Sequence, residues 1–238
     1  MASAVTPRGA AVNQGCNSIG GIPVTEKEQK LELMIQTGVV AVIRTQSAES
    51  LMDVVAALRQ GGLRAVEITM TTPGAMDVIC QASKRFGDDV LVGAGSVLDP
   101  ETARLAILAG AEFVVGPVLS RDVIAVCRRY SKIVVPGAFT PTEILAAWEA
   151  GADVVKVFPA TKLGPQYLRD VRGPLPQVLL SPTGGIDLTN AGEFIKAGAC
   201  FLGVGTAMVD KKLVAERKWD ELAERARLFL DAVARARA

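Results

Sequence analysis

The sequence predicts an α/β protein, folded as a single-domain (β/α)8 TIM barrel with an extra helix before the first strand. Three observations carry that expectation. Eight short Val/Ile-rich runs recur from residue 39 onward, their starts 20 to 26 residues apart. Each interval holds one amphipathic stretch rich in Ala, Leu and Arg. No strand is left over, and no linker interrupts the alternation. Near-continuous β-branched runs read as parallel strands buried on both faces, and eight such units suit a closed barrel. An open doubly wound sheet is the runner-up; it fits eight units less naturally and needs a switch point that the sequence does not mark.

The elements follow in chain order. Residues 1–24 contain one Arg, no acid, and many Ala, Ser and Gly. That is the composition of a flexible tail, the preferred reading, or of a weak organelle-targeting segment. The barrel is expected over 25–238. Thr25–Gln36 reads as the extra helix, covering the barrel bottom. The strand runs are Val39–Arg44, Ala65–Met70, Leu91–Val97, Phe113–Pro117, Ile133–Ala138, Val154–Ala160, Gln177–Thr183 and Cys200–Thr206. Asp99-Pro100-Glu101 and Thr140-Pro141-Thr142-Glu143 each combine a capping side chain, a first-turn proline and an early acid, so they start helices. Gly61-Gly62, Gly110, Gly151 and Gly198 close helices just before a strand. Trp219–Ala236 reads as a final amphipathic helix.

Composition removes whole classes of function. Lys and Arg number 26 against 25 Asp and Glu, a net charge of +1, whereas nucleic-acid and membrane-surface binding normally show as a basic excess. No apolar run approaches the roughly 18 residues of a membrane span. The chain has no histidine. A Ser-His-Asp triad, a Cys-His pair and a His-bearing zinc site are therefore excluded, and acid–base chemistry falls to Glu, Asp, Lys, Tyr or Cys. The four cysteines, Cys16, Cys80, Cys127 and Cys200, form no CxxC. The last three lie in apolar contexts, as buried free thiols do. A reducing compartment follows: the cytoplasm, with a plastid as the alternative if residues 1–24 are a transit peptide.

Barrel active sites lie at the C-terminal ends of the strands, so polar residues inside apolar runs are informative. Lys156 sits mid-strand with Val155 and Val157 on either side. Facing inward, an ammonium is costly unless paired or neutral, and a neutral amine attacks a carbonyl to form a Schiff base. A lysine snorkelling to water at a strand end is the bland alternative. On the second strand, alternation sets Val66 and Ile68 on one face and Glu67, Thr69 and Thr71 on the other. Glu67 then enters the barrel as the natural proton carrier, or else as a structural carboxylate paired with Lys156. Thr183-Gly184-Gly185 after the seventh strand and Gly203-Val204-Gly205-Thr206 on the eighth are where barrels bind phosphate through bare backbone N–H groups. Gly93-Ala94-Gly95-Ser96 reads as close ligand approach with one hydroxyl. Arg44 closes the first strand at the mouth, placed for a carboxylate or phosphate, or as an ordinary surface arginine.

Together these segments resemble the 2-keto-3-deoxy-6-phosphogluconate (KDPG) aldolase family, which includes 4-hydroxy-2-oxoglutarate and galactonate-type aldolases. The resemblance runs from about Thr37 to Asp210. It rests on Val66-Glu67-Ile68-Thr69, Gly93-Ala94-Gly95-Ser96-Val97, Pro136-Gly137 with Thr140-Pro141-Thr142-Glu143, Lys156-Val157-Phe158-Pro159-Ala160 and Pro182-Thr183-Gly184-Gly185-Ile186, in the family's order. It implies a (β/α)8 homotrimer and a class I, Schiff-base lyase without metal or cofactor, with Lys156 and Glu67 as catalytic pair. The implied reaction cleaves a phosphorylated keto acid to pyruvate and glyceraldehyde 3-phosphate, in Entner–Doudoroff type carbohydrate metabolism. Arg44, Thr71 and Ser96 are the residues expected at the pyruvyl carboxylate, Gly184, Gly185, Gly205 and Thr206 at the phosphate, with Pro117, Phe158 and Thr183 beside the substrate. The chain departs from the pattern at Thr71, where many members carry an arginine, at Ser96, usually threonine, and at Gly116, more usually serine. The alternatives are a 4-hydroxy-2-oxoglutarate or 2-keto-3-deoxy-6-phosphogalactonate aldolase, a metal-dependent or isomerising barrel, and a non-catalytic phosphate-binding barrel.

Overall fold

Eight parallel strands alternate with helices along the chain. The computed structural model describes residues 18–19, 22–44 and 48–238. Most of the expected tail, and Cys16 with it, lies outside the described residues. The parallel strands are β1 (Val39–Ile43), β2 (Ala65–Thr69), β3 (Leu91–Gly95), β4 (Phe113–Val115), β5 (Ile133–Val135, resuming after Pro136 as Gly137–Ala138), β6 (Val155–Val157), β7 (Leu180–Pro182) and β8 (Leu202–Val204), and a short antiparallel pair, Ser18–Ile19 with Ile22–Pro23, precedes them. The helices are α1 (Glu26–Thr37), α2 (Ala48–Gln60), α3 (Ala75–Phe86), α4 (Pro100–Leu108), α5 (Arg121–Arg129), α6 (Pro141–Glu149), α7 (Gly164–Arg172), α8 (Ala191–Lys196), α9 (Lys211–Ala215) and α10 (Trp219–Arg237). Among the described residues, no helix is long and apolar enough to cross a membrane.

The strands make a curled parallel sheet in two hydrogen-bonded parts. Six lie in the order β8-β1-β2-β3-β4-β5, and three in the order β7, β6 and the Gly137–Ala138 end of β5. Pro136 marks the seam. Lacking an N–H, it interrupts the ladder, while its carbonyl accepts from Lys156 N–H at 2.9 Å and so hands the chain from β4 to β6. On the other side, parallel bridges pair Leu180 with Ala199 and Thr183 with Gly203.

Alternation along the strands sorts side chains into two buried layers. Ala41, Ile43, Val66, Ile68, Val92, Ala94, Val114, Val134, Val155, Val157, Leu202 and Val204 pack outward under the helices. Val40, Ala65, Leu91, Phe113, Val115, Ile133, Val135, Val154 and Phe201 form a separate inner cluster. Met34 of α1, fully buried, joins that inner cluster and so seats α1 against the N-terminal ends of the strands. Burying each Val, Leu, Ile, Phe or Met side chain among these contributes about 1.5–3 kcal/mol. A capping box between Thr25 and Glu28 starts α1. Its C-terminal end is held by Arg237 of α10, which donates to the carbonyls of Gln36 (2.7 Å), Ile35 (2.6 Å) and Cys200 (2.9 Å).

The expected helix punctuation is present. Asp99 accepts from Thr102 N–H, Thr140 and Glu143 form a reciprocal capping box, and both following prolines occupy the first turn. Gly110 and Gly151 take φ of 105° and 95°, left-handed backbone that favours glycine. Cys127 is buried, and Cys200 donates its thiol to the Leu180 carbonyl. Burial pushes both thiols up to about 12.

Three expectations need correction. The seventh strand starts at Leu180, not Gln177, because a turn precedes it and Leu179 stands exposed. The second strand ends at Thr69, so Thr71 lies in an exposed turn rather than inside, its hydroxyl 2.8 Å from that of Thr69. The glycines of β3 are not openings for a ligand. A Cβ on Gly93 would collide with the Phe113 ring, and one on Gly95 with the Glu67 carboxyl. They are bare so that large neighbours fit.

Candidate active site

Glu67 and Lys156 arrive in one interior layer from opposite sides of the sheet. Glu67 on β2 registers with Val42 and Gly93, and Lys156 on β6 with Gly137 and Ser181. Both are inward-facing and almost wholly buried, 3% and 5% exposed, which removes the snorkelling alternative for the lysine. They line one small interior cavity with Phe113, Ser181 and Thr183. Among the described residues the two form no direct ion pair. Burial holds the Glu67 carboxyl above the usual carboxylate range, while Lys156 and Arg44 pull it back in part. Lys156 Nζ stands 4.8 Å from the Phe158 ring centroid, a cation–π distance. One amine and one carboxyl thus face one space.

Above that layer opens a cavity of about 660 Å³. Arg44, Phe158 and Thr183 line it, as do Gly184, Gly185, Gly205 and Thr206. Thr183 lines both spaces. Gly184 and Gly185 turn with φ of 93° and 73°. A Cβ on Gly205 would meet nothing within 4 Å, so its backbone stands open to a ligand. Seven sequence-predicted residues therefore come together. Thr71, Ser96 and Pro117 do not line this cavity: they lie beyond the ends of β2, β3 and β4, Ser96 with a left-handed φ of 59°.

Sequence reasoning missed Ser181, buried and inward-facing beside Lys156. A hydroxyl inside the apolar seventh run was the same signal that exposed Glu67. It also missed Arg225, Lys211, Asp187 and Asp210, which line the larger cavity. Polar residues on a surface helix or loop carry no local mark of that placement.

A separate cleft of about 380 Å³ lies at the N-terminal ends of the strands. There Glu112 holds the ammoniums of Lys30 (2.7 Å) and Lys132 (2.8 Å). It shares no lining residue with the two cavities above.

A buried Lys and Glu thus face one cavity, with glycine-rich corners above. A family model for KDPG and KHG aldolases matches residues 31–225. The chain belongs to that aldolase family. It is an aldolase, and hence a lyase. The 2-dehydro-3-deoxy-phosphogluconate aldolase of Haemophilus influenzae is 31% identical over 87% of this chain and 97% of its own. The 2-dehydro-3-deoxy-6-phosphogalactonate aldolase of Escherichia coli is 31% identical over 82% of this chain and 95% of its own. The KDPG aldolase of Legionella pneumophila, solved with pyruvate captured as a covalent carbinolamine, superposes with a TM-score of 0.78. It is 27% identical over 84% of this chain and 97% of its own.

The packing of this aldolase makes one prediction on the spot. Gly95→Ala places a methyl against Glu67 and displaces its carboxyl. Since misplacement by about 1 Å costs on the order of 100-fold, kcat is expected to fall about 100-fold. Retained far-UV circular dichroism identifies the loss as local, and an unchanged kcat refutes the packing argument.

Proposed function

We propose that this aldolase cleaves 2-keto-3-deoxy-6-phosphogluconate to pyruvate and glyceraldehyde 3-phosphate through a Schiff base on Lys156. The observation that carries the reading is the buried Lys156–Glu67 layer, its cavity sharing Thr183 with a glycine-cornered cavity. The free amine of Lys156 attacks the C2 ketone. Glu67 shuttles protons as the carbinolamine loses water to give a protonated imine. Glu67, directly or through a water, then takes the C4 hydroxyl proton. The C3–C4 bond breaks, its electron pair moves into the imine to give an enamine, and the aldehyde leaves. Protonation at C3 and addition of water release pyruvate and restore the amine. The iminium is the electron sink, so the route as written uses no metal or cofactor.

Arg44 supplies the cation for the pyruvyl carboxylate that Thr71 cannot, with Thr71 and Ser96 as hydroxyl partners at the mouth. Gly184, Gly185, Gly205 and Thr206 take the phosphate, with Phe158, Thr183 and Pro117 shaping the space. The strands form one closed (β/α)8 barrel within a single unit over 25–238, α1 being the extra helix at its base. In support, Pro136 joins the two sheet parts on one side and the Thr183–Gly203 bridge on the other. A homotrimer is the assembly we favour. Leu98, Val118 and Phe139, on the loops after β3, β4 and β5, expose an apolar rim, and Leu105 and Leu108 of α4 are exposed as well. The cytoplasm suits the free thiols and the bacterial relatives. Those relatives give the plastid alternative no support.

The test is a substrate panel read by lactate-dehydrogenase-coupled pyruvate release. KDPG is expected to give the highest kcat/KM. A higher value for 2-keto-3-deoxy-6-phosphogalactonate moves the assignment to that epimer, and no advantage over 4-hydroxy-2-oxoglutarate removes the phosphate site.

A further inference from the structure

We propose that Arg225 sets this aldolase's preference for a substrate ending in a dianionic phosphate, a role that rests on the phosphate assignment above. Arg225 belongs to α10, outside the strands and the loops that follow them, yet it lines the larger cavity with Gly184, Gly185, Gly205 and Thr206. Its Nη1 donates to the Ala207 carbonyl at 3.1 Å and stands 3.7 Å from Asp210 Oδ2. Among the described residues these are its polar partners, and both use the same nitrogen. A guanidinium carries five N–H donors in a planar fork that matches phosphate oxygens. Most of the fork is left for a ligand, on a side chain that is 35% exposed.

The neighbouring carboxylates leave this cavity only a small surplus of positive charge. Asp210 Oδ1 accepts from Lys212 N–H (2.8 Å) and Leu213 N–H (3.2 Å), which fixes the carboxylate and leaves Oδ2 toward Arg225. Asp187 Oδ1 accepts from the Thr189 N–H and hydroxyl and from Asn190 N–H. These hydrogen bonds hold both carboxyls below the ordinary range, so both are ionised at neutral pH. The cavity lining therefore sets two carboxylates against the three cations Arg44, Lys211 and Arg225. Without Arg225 the charges balance, and an incoming dianion meets no excess positive charge. Arg44 is committed to the other end of the substrate. Arg225, held by a fixed aspartate at the rim, is the cation that makes phosphate welcome.

The experiment compares wild type, Arg225→Gln and Arg225→Lys on KDPG and on unphosphorylated 4-hydroxy-2-oxoglutarate, both read as pyruvate release. Arg225→Gln is expected to raise KM for KDPG about 10- to 100-fold, with kcat within about threefold. Its kcat/KM for 4-hydroxy-2-oxoglutarate should stay within about twofold, and inorganic phosphate should lose potency as a competitive inhibitor. Arg225→Lys should recover part of the KM, since it keeps the charge but not the fork. Equal losses on both substrates mean a structural tie between α10 and the Ala207 loop, and overturn the proposal. So does an unchanged KM for KDPG. If wild type shows no preference for the phosphorylated substrate, the phosphate assignment itself fails and this role falls with it. Should Arg225→Gln not fold by thermal melt, Arg225→Lys decides the matter: a KM rise of about threefold or more for KDPG alone supports the role, and no rise refutes it.

Discussion

Lys156→Ala is expected to lose at least about 10⁴-fold in kcat, because it deletes the nucleophile on which every later step depends. Borohydride added to wild type with pyruvate should leave one reduced adduct, located on Lys156 by peptide mass spectrometry, and none in the variant. Lys156→Arg separates charge from nucleophilicity: it keeps a cation beside Glu67 and the Phe158 ring but presents no free amine. Equal inactivity of the two variants assigns the loss to the amine. An adduct on another lysine, or substantial turnover by either variant, removes the mechanism.

Glu67→Gln is the second large effect, and it has two signs. Loss of the proton carrier should lower kcat by about 10²- to 10⁴-fold. Stability should move the other way. Burial raises the folded-state carboxyl above its ordinary value. The stability it contributes is then fully present below the unfolded-state value near 4.5 and is lost as pH rises through the higher folded-state value. Above the unfolded-state value the fold loses that contribution, a cost the neutral amide does not carry. Thermal melts should show Glu67→Gln above wild type at pH 7, with the gap closing toward pH 4. In wild type, the acid limb of kcat/KM should fall at a pH above that of an ordinary glutamate, because Glu67 serves as the base only when ionised. A variant that is both inactive and less stable at pH 7 would show the carboxylate to be structural.

Much of this architecture was legible because burial on both faces writes itself into the chain. The eight β-branched runs identified all eight strands, since a parallel strand under a helix tolerates little else. Lys156 and Glu67 stood out for the complementary reason: a charge inside such a run violates the pattern at a cost that only pairing or function repays. Strand ends were less readable. Thr71 obeys the alternation of β2 in sequence, but the last hydrogen bond to β3 runs from Met70 N–H to the Gly95 carbonyl, after which the chain turns away. Gly93 and Gly95 needed the register, because what fills their space comes from β4 on one side and β2 on the other. Arg225 was out of reach, since only the folding of α10 against the strand ends brings it to Gly184 and Thr206.

The bare positions on β3 also bear on engineering. Glu67 occupies volume that Gly95 gives up, and Phe113 occupies volume that Gly93 gives up. Glu67 is therefore the visible part of a four-residue unit, with Gly95, Gly93 and Phe113, spread over three neighbouring strands. Transplanting a lysine and a glutamate into another eight-stranded scaffold reproduces the chemistry only if the adjoining strand is hollowed to match. A graft that keeps side chains there turns the carboxyl away from the amine. Conversely, a library that varies Glu67 to larger bases has no room to grow toward β3.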